Sequence, residues 1–358
     1  MSTGSAGVRP AAWEGDSRRW PARPRPARPG PAELTAAALA GDRRAVARLI
    51  SLVEHESAAL REVSALLAPH TGRARVVGLT GAPGVGKSTS TSALVGAYRA
   101  QGLRVGVLAI DPSSPFTGGA LLGDRVRMVE HATDPGVFVR SLATRGSLGG
   151  LSWATPQALR VLDAAGFDVV LVETVGVGQA EVDIASLADT TLVLIAPGMG
   201  DGIQAAKAGI MEIADLLVVN KADRPGADHT CRDLAAAIRM SGSDSRAGTA
   251  TDSPDGWRAE VLRLEAVTGQ GLPELVAAIG RHHSWLEESG ELARRRLRRA
   301  SEEISQIALA GLRARLGALD AGGRLARLAE AVTEGRLDPY TAADTLLREL
   351  PRPQTADS

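Results

Sequence analysis

The sequence predicts an α/β fold in which a mostly parallel β-sheet is covered by helices on both faces. Three observations lead to this prediction: strand-like runs alternate with helical stretches, each run is almost entirely apolar, and a glycine-rich turn joins the first run to a helix. A strand that is apolar along its whole length is buried on both sides, as in parallel sheets. The 358 residues, 44% of them hydrophobic, suffice for one large domain with appended helices.

The first 72 residues precede this alternation. Residues 1–32 are rich in Arg, Pro, Gly and Ala, lack periodicity, and are predicted to form a disordered arm. Residues 33–68 carry apolar side chains at spacings of three and four, which predicts two helices. We therefore expect an N-terminal helical segment over residues 33–72.

The alternating region spans residues 73–285 and contains the predicted sheet. A helix is predicted near 87–101, a polar loop at 241–256, and helical structure from 272 onward. We expect residues 286–350 to form a C-terminal helical extension. The predicted strands span residues 75–80, 104–111, 137–142, 168–173, 190–196, 216–220 and 261–267.

The composition argues against several functional classes. Lys+Arg and Asp+Glu total 41 each, whereas proteins that bind nucleic acids or acidic membranes generally carry excess positive charge. Cys231 is the only cysteine, which excludes a disulfide framework and a Cys-based metal site and fits a reducing cytoplasm. No apolar run approaches the ~20 residues of a membrane span, and no stretch resembles a signal peptide. We expect a cytoplasmic protein that binds neither nucleic acid nor membrane.

A phosphate-binding motif follows the first predicted strand. Residues 81–88, GAPGVGKS, match G-x-x-x-x-G-K-[ST] between a strand and a helix, a setting that a chance glycine-rich turn would not share. In such a P-loop, backbone N–H groups and the helix N-terminus bind phosphates, the Lys87 ammonium reaches the β- and γ-phosphates, and the Ser88 hydroxyl ligates Mg²⁺. We expect a P-loop nucleoside triphosphatase. The expected phosphate-binding residues are Gly81, Ala82, Pro83, Gly84, Val85, Gly86, Lys87, Ser88 and Thr89.

An acidic residue ends the fourth predicted strand. The stretch LVETVGVGQ, residues 171–179, places Glu173 at the position where P-loop proteins carry a carboxylate that faces Mg²⁺. Gly176 follows three residues later, as in motifs whose glycine N–H contacts the γ-phosphate. Most small nucleotide hydrolases would carry Asp here, so the longer side chain changes the reach to the metal. The alternative, a solvated acid at a strand end, is disfavoured by the motifs on either side.

A base-recognition motif ends the sixth predicted strand. In residues 220–223, NKAD, the spacing lets Asp223 accept hydrogen bonds from N1 and N2 of guanine, a donor pair that adenine lacks. Asn220 would brace the loop, and the aliphatic stem of Lys221 would lie along the base. A Ser-Ala pair usually completes such a site, with a backbone N–H that meets guanine O6. Here the corresponding residues are Glu265, Ala266 and Val267, so this contact is expected from Ala266.

Lysine usage draws attention to one more residue. Only three of the 41 basic residues are Lys, and two of these, Lys87 and Lys221, lie in the motifs above. The third, Lys207, lies in the glycine-punctuated stretch PGMGDGIQAAKAG after the fifth predicted strand, on the edge of the sheet where ligands bind. We predict that Lys207 contributes positive charge to catalysis. The alternative is an ordinary surface lysine at the start of a helix.

Together these stretches resemble the methylmalonyl-CoA mutase-associated GTPases of the MeaB/ArgK (MMAA-like) family, within the SIMIBI class of P-loop GTPases. The resemblance covers roughly residues 34–320. The matching stretches are GAPGVGKST, AIDPSSPFTGGALLGDRVRM, FDVVLVETVGVGQAEVD, PGMGDGIQAAKAGIMEIAD and VVNKAD. Many relatives read GDELQGIK where this chain reads GDGIQAAK, so a switch-loop glutamate is absent.

The resemblance implies a function and a set of partners. It implies a homodimer with C-terminal helices at its interface and a slow GTPase that binds GTP or GDP. It also implies a partner, an adenosylcobalamin-dependent acyl-CoA mutase such as methylmalonyl-CoA or isobutyryl-CoA mutase, whose cofactor loading the GTPase gates and which it protects from inactivation. Glu is the rule in this family at the position of Glu173. The resemblance assigns Ser88, Asp111, Asp124 and Glu173 to the Mg²⁺ and switch region.

Two other functional classes remain open at this point. Metal-insertion GTPases that serve hydrogenase or urease share the sheet and the Glu, but they need His or Cys clusters. In this chain only His282 and His283 are adjacent, on a predicted helix where an exposed face is expected. A transport-associated nucleotide hydrolase, an old label for the ArgK group, would use ATP, whereas Asp223 selects guanine.

Overall fold

A seven-stranded parallel sheet lies at the centre of the structure, a computed structural model. It describes residues 29–55, 57–111, 128–131, 133–143, 154–174, 180–198, 212–244, 256–320 and 323–348. The strands are β1 (Arg75–Thr80), β2 (Val105–Asp111), β3 (Val137–Ala143), β4 (Val169–Thr174), β5 (Thr190–Ile195), β6 (Leu216–Asn220) and β7 (Glu260–Leu264). Their order across the sheet is β3-β2-β4-β1-β5-β6-β7, and every neighbouring pair is parallel. The prediction of an α/β fold with a parallel sheet is confirmed.

Helices precede, cover and follow this sheet. In chain order they are α1 (Pro31–Leu39), α2 (Arg43–Glu54), α3 (Leu60–Leu67), α4 (Lys87–Ala100), α5 (Ala154–Ala164), α6 (Ala180–Leu187), α7 (Ala227–Asp244), α8 (Leu272–Glu288), α9 (Glu291–Asp320), α10 (Arg324–Thr333) and α11 (Pro339–Arg348). Short 3₁₀ turns lie at Ala68–His70 and Val129–His131. Within the part of the chain that the structure describes, none of the helices is long and apolar enough to cross a membrane.

The two faces of the sheet bury different sets of side chains. On one face, Val76 of β1 and Val170 of β4 pack in a core with α1, α2, α3, α5 and α6. On the other, Val77 and Leu171, the next residues along the same strands, pack in a core with α4 and α8. Because successive side chains of a strand point to opposite faces, near-continuous apolar runs were needed to form both cores.

The N-terminal segment contains three helices, where the sequence predicted two. Gly41 has φ +88°, which ends the first helical stretch. The Asp42 side chain then accepts hydrogen bonds from the backbone N–H groups of Arg44 and Ala45, so α2 starts at a capped end. Helix α1 begins at Pro31, inside the stretch predicted as arm, and residues 1–28 lie outside the described residues.

Several other boundaries differ from the predictions. Strand β7 ends at Leu264 rather than at residue 267, because the Glu265 N–H bonds the Gln270 carbonyl, 2.9 Å away, and the chain turns there. Helix α7 continues to Asp244 and so includes the first residues of the predicted 241–256 loop, whose residues 245–255 are not described. The predicted domain boundary between residues 285 and 286 falls inside α8, which extends to Glu288.

The expectation that His282 and His283 lie on an exposed face is wrong. Both imidazoles are buried where α8 packs on the sheet. The Nδ1 atom of His282 lies 2.9 Å from Thr190 Oγ1, and its ring packs against those of Trp257 and Trp285, with centroids 4.6 and 5.8 Å away. Burial and the nearby charge of Arg75 lower the pKa of His283. The pair therefore belongs to the packing of α8.

Arginines of α9 attach this helix to the amino ends of β5 and β6. Arg295 donates through both terminal nitrogens to Asp215, at 2.9 and 2.8 Å, and also to the Asp189 carbonyl at 2.9 Å. Arg296 and Arg299 donate to the two carboxylate oxygens of Asp189, at 3.2 and 3.3 Å. Burial would raise the pKa of Asp215, but His282 and Arg295 outweigh it and hold that pKa below its usual value. Both carboxylates are buried and paired.

Beyond this attachment, much of α9 is exposed to solvent. Every residue from Ile304 to Ala314 is exposed, a stretch of about three helical turns that includes both apolar and polar side chains. Leu297 and Ile304 are each 68% exposed. Large apolar side chains are thus exposed to solvent along this part of the helix.

Candidate nucleotide site

The phosphate-binding loop lies between β1 and α4, at the carboxyl edge of the sheet. Gly81 has φ +138°, and a Cβ there would lie 2.2 Å from the Leu194 carbonyl oxygen of β5. Gly86 has φ +95°, and a Cβ there would lie 2.4 Å from Asn220 Nδ2. These contacts explain why the loop requires glycine at both ends: the loop passes too close to β5 and to Asn220 for any side chain.

Lys87 reaches back across this loop. It is the first residue of α4 and is buried, and its Nζ donates to the carbonyl oxygens of Gly81 and Ala82, 2.6 and 3.0 Å away. The ammonium therefore lies over the loop whose N–H groups would surround a phosphate. An ammonium has three donors, so a phosphate in the loop would compete with or add to these two carbonyl contacts.

Glu173 binds two hydroxyl groups of α4. Its Oε1 accepts a hydrogen bond of 2.6 Å from Ser88 Oγ, and its Oε2 accepts one of 2.9 Å from Thr91 Oγ1. The carboxylate is only 4% exposed and stands on β4, beside β2. Asp111, 3% exposed, ends β2 at the same edge. A serine hydroxyl and two buried carboxylates make an oxygen-only set of groups, which suits Mg²⁺.

The sequence did not single out Thr91, although its position carried a signal. Residues 88 and 91 are separated by three positions on α4 and so lie on one face of the helix. In the run GKSTST, the hydroxyl three residues after Ser88 was therefore placed to reach the same partner as Ser88. The structure brings both hydroxyls to Glu173.

Asn220 connects the three loops of the site. Its Nδ2 donates to the Val85 carbonyl of the phosphate loop at 2.8 Å, and its Oδ1 accepts from the Ala266 backbone N–H at 3.2 Å. Lys221 has φ +56°, and its Nζ donates to the Gly84 carbonyl at 2.6 Å. The bracing contact expected of Asn220 is thus present. The expected O6 donor, the Ala266 N–H, is held by Asn220 in this structure.

The remaining predicted residues fall into two groups. Asp223 is exposed next to this junction, Glu265 is half-buried, and Val267 is 86% exposed. Pro83 and Thr89 are exposed on the phosphate loop and on α4. Asp124, Gly176 and Lys207 lie outside the described residues. No group of three or more His, Cys, Asp and Glu side chains is arranged to hold a metal ion among residues that the structure describes.

Known proteins share both the sequence and the fold. Residues 46–319 match the family described as methylmalonyl Co-A mutase-associated GTPase MeaB. A protein of Pyrococcus abyssi, named as a GTPase, is 49% identical over 318 residues, which cover 89% of this chain and 96% of that protein. The GTPase ArgK of Escherichia coli is 38% identical over 267 residues, 73% of this chain and 78% of that protein. The crystal structure of an LAO/AO transport system kinase has a TM-score of 0.61 and 28% identity, covering 89% of this chain and 96% of its own.

Proposed function

Because this chain belongs to the methylmalonyl-CoA mutase-associated GTPase MeaB family, we propose that it hydrolyses GTP to GDP and phosphate in a Mg²⁺-dependent reaction and thereby controls an adenosylcobalamin-dependent acyl-CoA mutase. One observation carries the nucleotide part of this proposal. Asn220 joins the GKS loop to the NKAD loop, and Glu173 binds Ser88 at the same edge of the sheet. Phosphate, metal and base contacts would therefore be made from one connected site.

Each group in this site has a distinct role in the proposal. Lys87 supplies positive charge to the β- and γ-phosphates as negative charge develops on the transferred group. Asp223 selects guanine, and the backbone of residues 81–89 holds the phosphates. Gly176 contacts the γ-phosphate, and the loop of Glu265, Ala266 and Val267 closes over the base. The motifs support these roles, and so do the contacts of Lys87 and Asn220.

The metal would be held by oxygen ligands on three elements. Ser88 on α4, Asp111 at the end of β2 and Glu173 on β4 are the described candidates, and Asp124 is a fourth from the sequence. Mg²⁺ would neutralise phosphate charge when bound. The part of this chain is to keep the two carboxylates buried and to hold Glu173 against the Ser88 hydroxyl, so that Glu173 is oriented before nucleotide arrives.

The proposed partner is a mutase that uses methylmalonyl-CoA or isobutyryl-CoA. In this proposal the GTPase gates delivery of adenosylcobalamin to the mutase and protects it from inactivation, and it acts as a homodimer through its C-terminal helices. Lys207 contributes charge to the phosphates in the complex with the mutase. The support is the family membership, together with the exposed apolar side chains of α9.

The test is reconstitution with the mutases of the native host. The tagged protein is first used to co-purify its partner. GTP hydrolysis is then measured alone and with each mutase, and transfer of adenosylcobalamin to the mutase is followed with GTP, GDP and no nucleotide. We expect one mutase to accelerate hydrolysis and its cofactor loading to depend on the nucleotide. Hydrolysis that no mutase changes, with loading independent of nucleotide, would contradict the partner assignment.

A further inference from the structure

Thr91 is the second residue of α4 that contacts the buried carboxylate of the site. It is fully buried, and its Oγ1 lies 2.9 Å from Glu173 Oε2 and 3.0 Å from the Lys87 carbonyl. Ser88 Oγ occupies the other oxygen, Oε1, at 2.6 Å. Each oxygen of the Glu173 carboxylate therefore has its own hydroxyl partner from one face of α4.

The Thr91 hydroxyl has one hydrogen and two acceptors within reach. Its hydrogen can be donated to only one acceptor at a time. The Lys87 carbonyl already accepts the helical hydrogen bond from the N–H of residue 91. The Oε2 atom of Glu173, in contrast, carries negative charge and is buried away from water. A hydrogen bond to an ionised acceptor is shorter and stronger than one to a neutral acceptor. The hydrogen therefore goes to Glu173.

The length of the glutamate side chain makes this second contact consequential. Glu has one more rotatable bond than Asp, so a single hydroxyl at Oε1 would leave the carboxylate able to swing about that contact. Two hydroxyl donors on α4, those of Ser88 and Thr91, fix both the position of the carboxylate and the orientation of its plane. Because α4 also begins with Lys87, the same rigid helix sets the relation between the carboxylate and the phosphate-binding ammonium.

We propose that Thr91 is a positioning residue for Glu173: its hydroxyl holds Oε2 so that the carboxylate is oriented for Mg²⁺. This rests on the proposed function, in which Glu173 faces the metal. Thr91 touches neither metal nor nucleotide in this assignment. Partners that orient metal-facing carboxylates typically change metal affinity or activity by about 10–100-fold when they are removed.

The test compares three variants of the full chain. Thr91→Val removes the hydroxyl and keeps the branched shape, Thr91→Ser keeps the hydroxyl, and Ser90→Ala removes a neighbouring buried hydroxyl that bonds the Gly86 carbonyl instead of Glu173. The Mg²⁺ concentration for half-maximal GTP hydrolysis is measured for each, with GDP affinity in EDTA and the Tm as controls. Thr91→Ala serves as the hydroxyl-free variant if Thr91→Val does not fold.

We expect Thr91→Val to need about 10-fold more Mg²⁺, with GDP affinity in EDTA unchanged, and Thr91→Ser to restore the wild-type value. Ser90→Ala should keep wild-type Mg²⁺ dependence. A lower Tm for Thr91→Val with wild-type Mg²⁺ dependence would overturn the proposal and reduce Thr91 to a packing residue. If Glu173→Gln nevertheless loses Mg²⁺-dependent turnover, the metal role of Glu173 stands and only the proposal about Thr91 fails. If Glu173→Gln keeps wild-type Mg²⁺ dependence, the metal role in the proposed function fails as well.

Discussion

Ser88 and Glu173 are 85 residues apart in the sequence and are joined by a hydrogen bond of 2.6 Å in the structure. The bond connects the helix that follows the phosphate loop to the strand β4 beside it. It unites the residue expected to ligate Mg²⁺ with the acid expected to face it. The longer side chain of Glu, compared with Asp, reaches both this hydroxyl and that of Thr91.

Glu173→Gln should keep GDP binding and lose Mg²⁺-dependent turnover. The amide oxygen can still accept a hydrogen bond from Ser88, but the negative charge that favours the metal is gone. Turnover is measured across a Mg²⁺ titration, and GDP affinity is measured separately. Glu62→Gln, an exposed acid on α3, is the matched control. Wild-type Mg²⁺ dependence in Glu173→Gln would refute the metal role.

Asp223→Asn should shift base preference from guanine toward xanthine. In the proposed site the carboxylate would accept hydrogen bonds from guanine N1 and N2, and leaving such groups unpaired costs about 1–3 kcal/mol each. Affinities for GDP, XDP and ADP are measured for the variant and the wild type, with Asp228→Asn, a change of an exposed acid on α7, as control. The guanine assignment fails if the wild type binds ADP as well as GDP, or if the variant shows no gain for XDP.

Lys87→Ala should abolish hydrolysis and weaken binding of the triphosphate more than of the diphosphate. Its charge lies over the phosphate loop, where it would stabilise the transferred phosphoryl group, and loss of one such donor typically costs at least about 100-fold in turnover. Single-turnover hydrolysis and binding of a non-hydrolysable GTP analogue are the measurements. Arg44→Ala removes an exposed charge on α2 and should leave both unchanged. A Lys87→Ala enzyme of normal rate would contradict the assignment.

Ile304→Glu should convert the proposed dimer to a monomer. Ile304 is 68% exposed on α9, and a buried, unpaired charge at an interface is costly. Arg313→Glu is the control. Arg313 lies nine residues after Ile304, which places it about 180° around the helix, on the opposite face. Light scattering gives the mass of each. A dimer that survives Ile304→Glu and Leu297→Glu together would show that this face of α9 is not the interface.

Lys207→Ala should leave basal hydrolysis and GDP affinity nearly intact and lose the stimulation by the mutase. The reason is that the proposed charge acts only in the complex, when negative charge develops on the phosphates. Hydrolysis is compared for the variant and the wild type, with and without the cognate mutase. Full stimulation of the variant would make Lys207 an ordinary surface lysine.

Much of this architecture could be predicted from the sequence because its signals are local. The runs around Val77 and Leu171 are apolar on both faces, so they indicated a buried parallel sheet. The glycines at 81 and 86 mark backbone positions where a Cβ would collide with a neighbour, so the phosphate loop was recognisable without the fold. Features of this kind depend on backbone conformation and on the spacing of a few residues.

The features that were missed depend on contacts between distant parts of the chain. The burial of His282 depends on Trp257 and Thr190, which reach it only in the folded sheet. Thr91 is spaced three residues from Ser88, so both can contact one partner, but that partner, Glu173, lies on β4 and is distant in the sequence. The split of the N-terminal helices at Gly41 was visible as a glycine followed by a capping Asp, a local signal that the apolar periodicity on either side obscured.

The pairing of α9 with Asp189 and Asp215 also decides how the C-terminal helices can be removed. A chain that ends near residue 285 would lose Arg295, Arg296 and Arg299 and leave two buried carboxylates without their cations. Breaking a buried ion pair from one side typically costs about 3–5 kcal/mol. If such a shortened chain were monomeric, the loss of the dimer could result either from a missing interface or from a damaged fold. Substitutions of exposed residues of α9 are the cleaner test, because they leave these ion pairs in place.

Helix α9 is bound to the sheet near its N-terminal end. Its arginines bind Asp189 and Asp215, which directly precede β5 and β6, while its residues 304–314 are exposed to solvent. In the sequence, the opposite ends of these two strands lead to the PGMG stretch and to the NKAD loop. The arginine–aspartate pairs therefore link the C-terminal helices to the same two strands that precede these stretches.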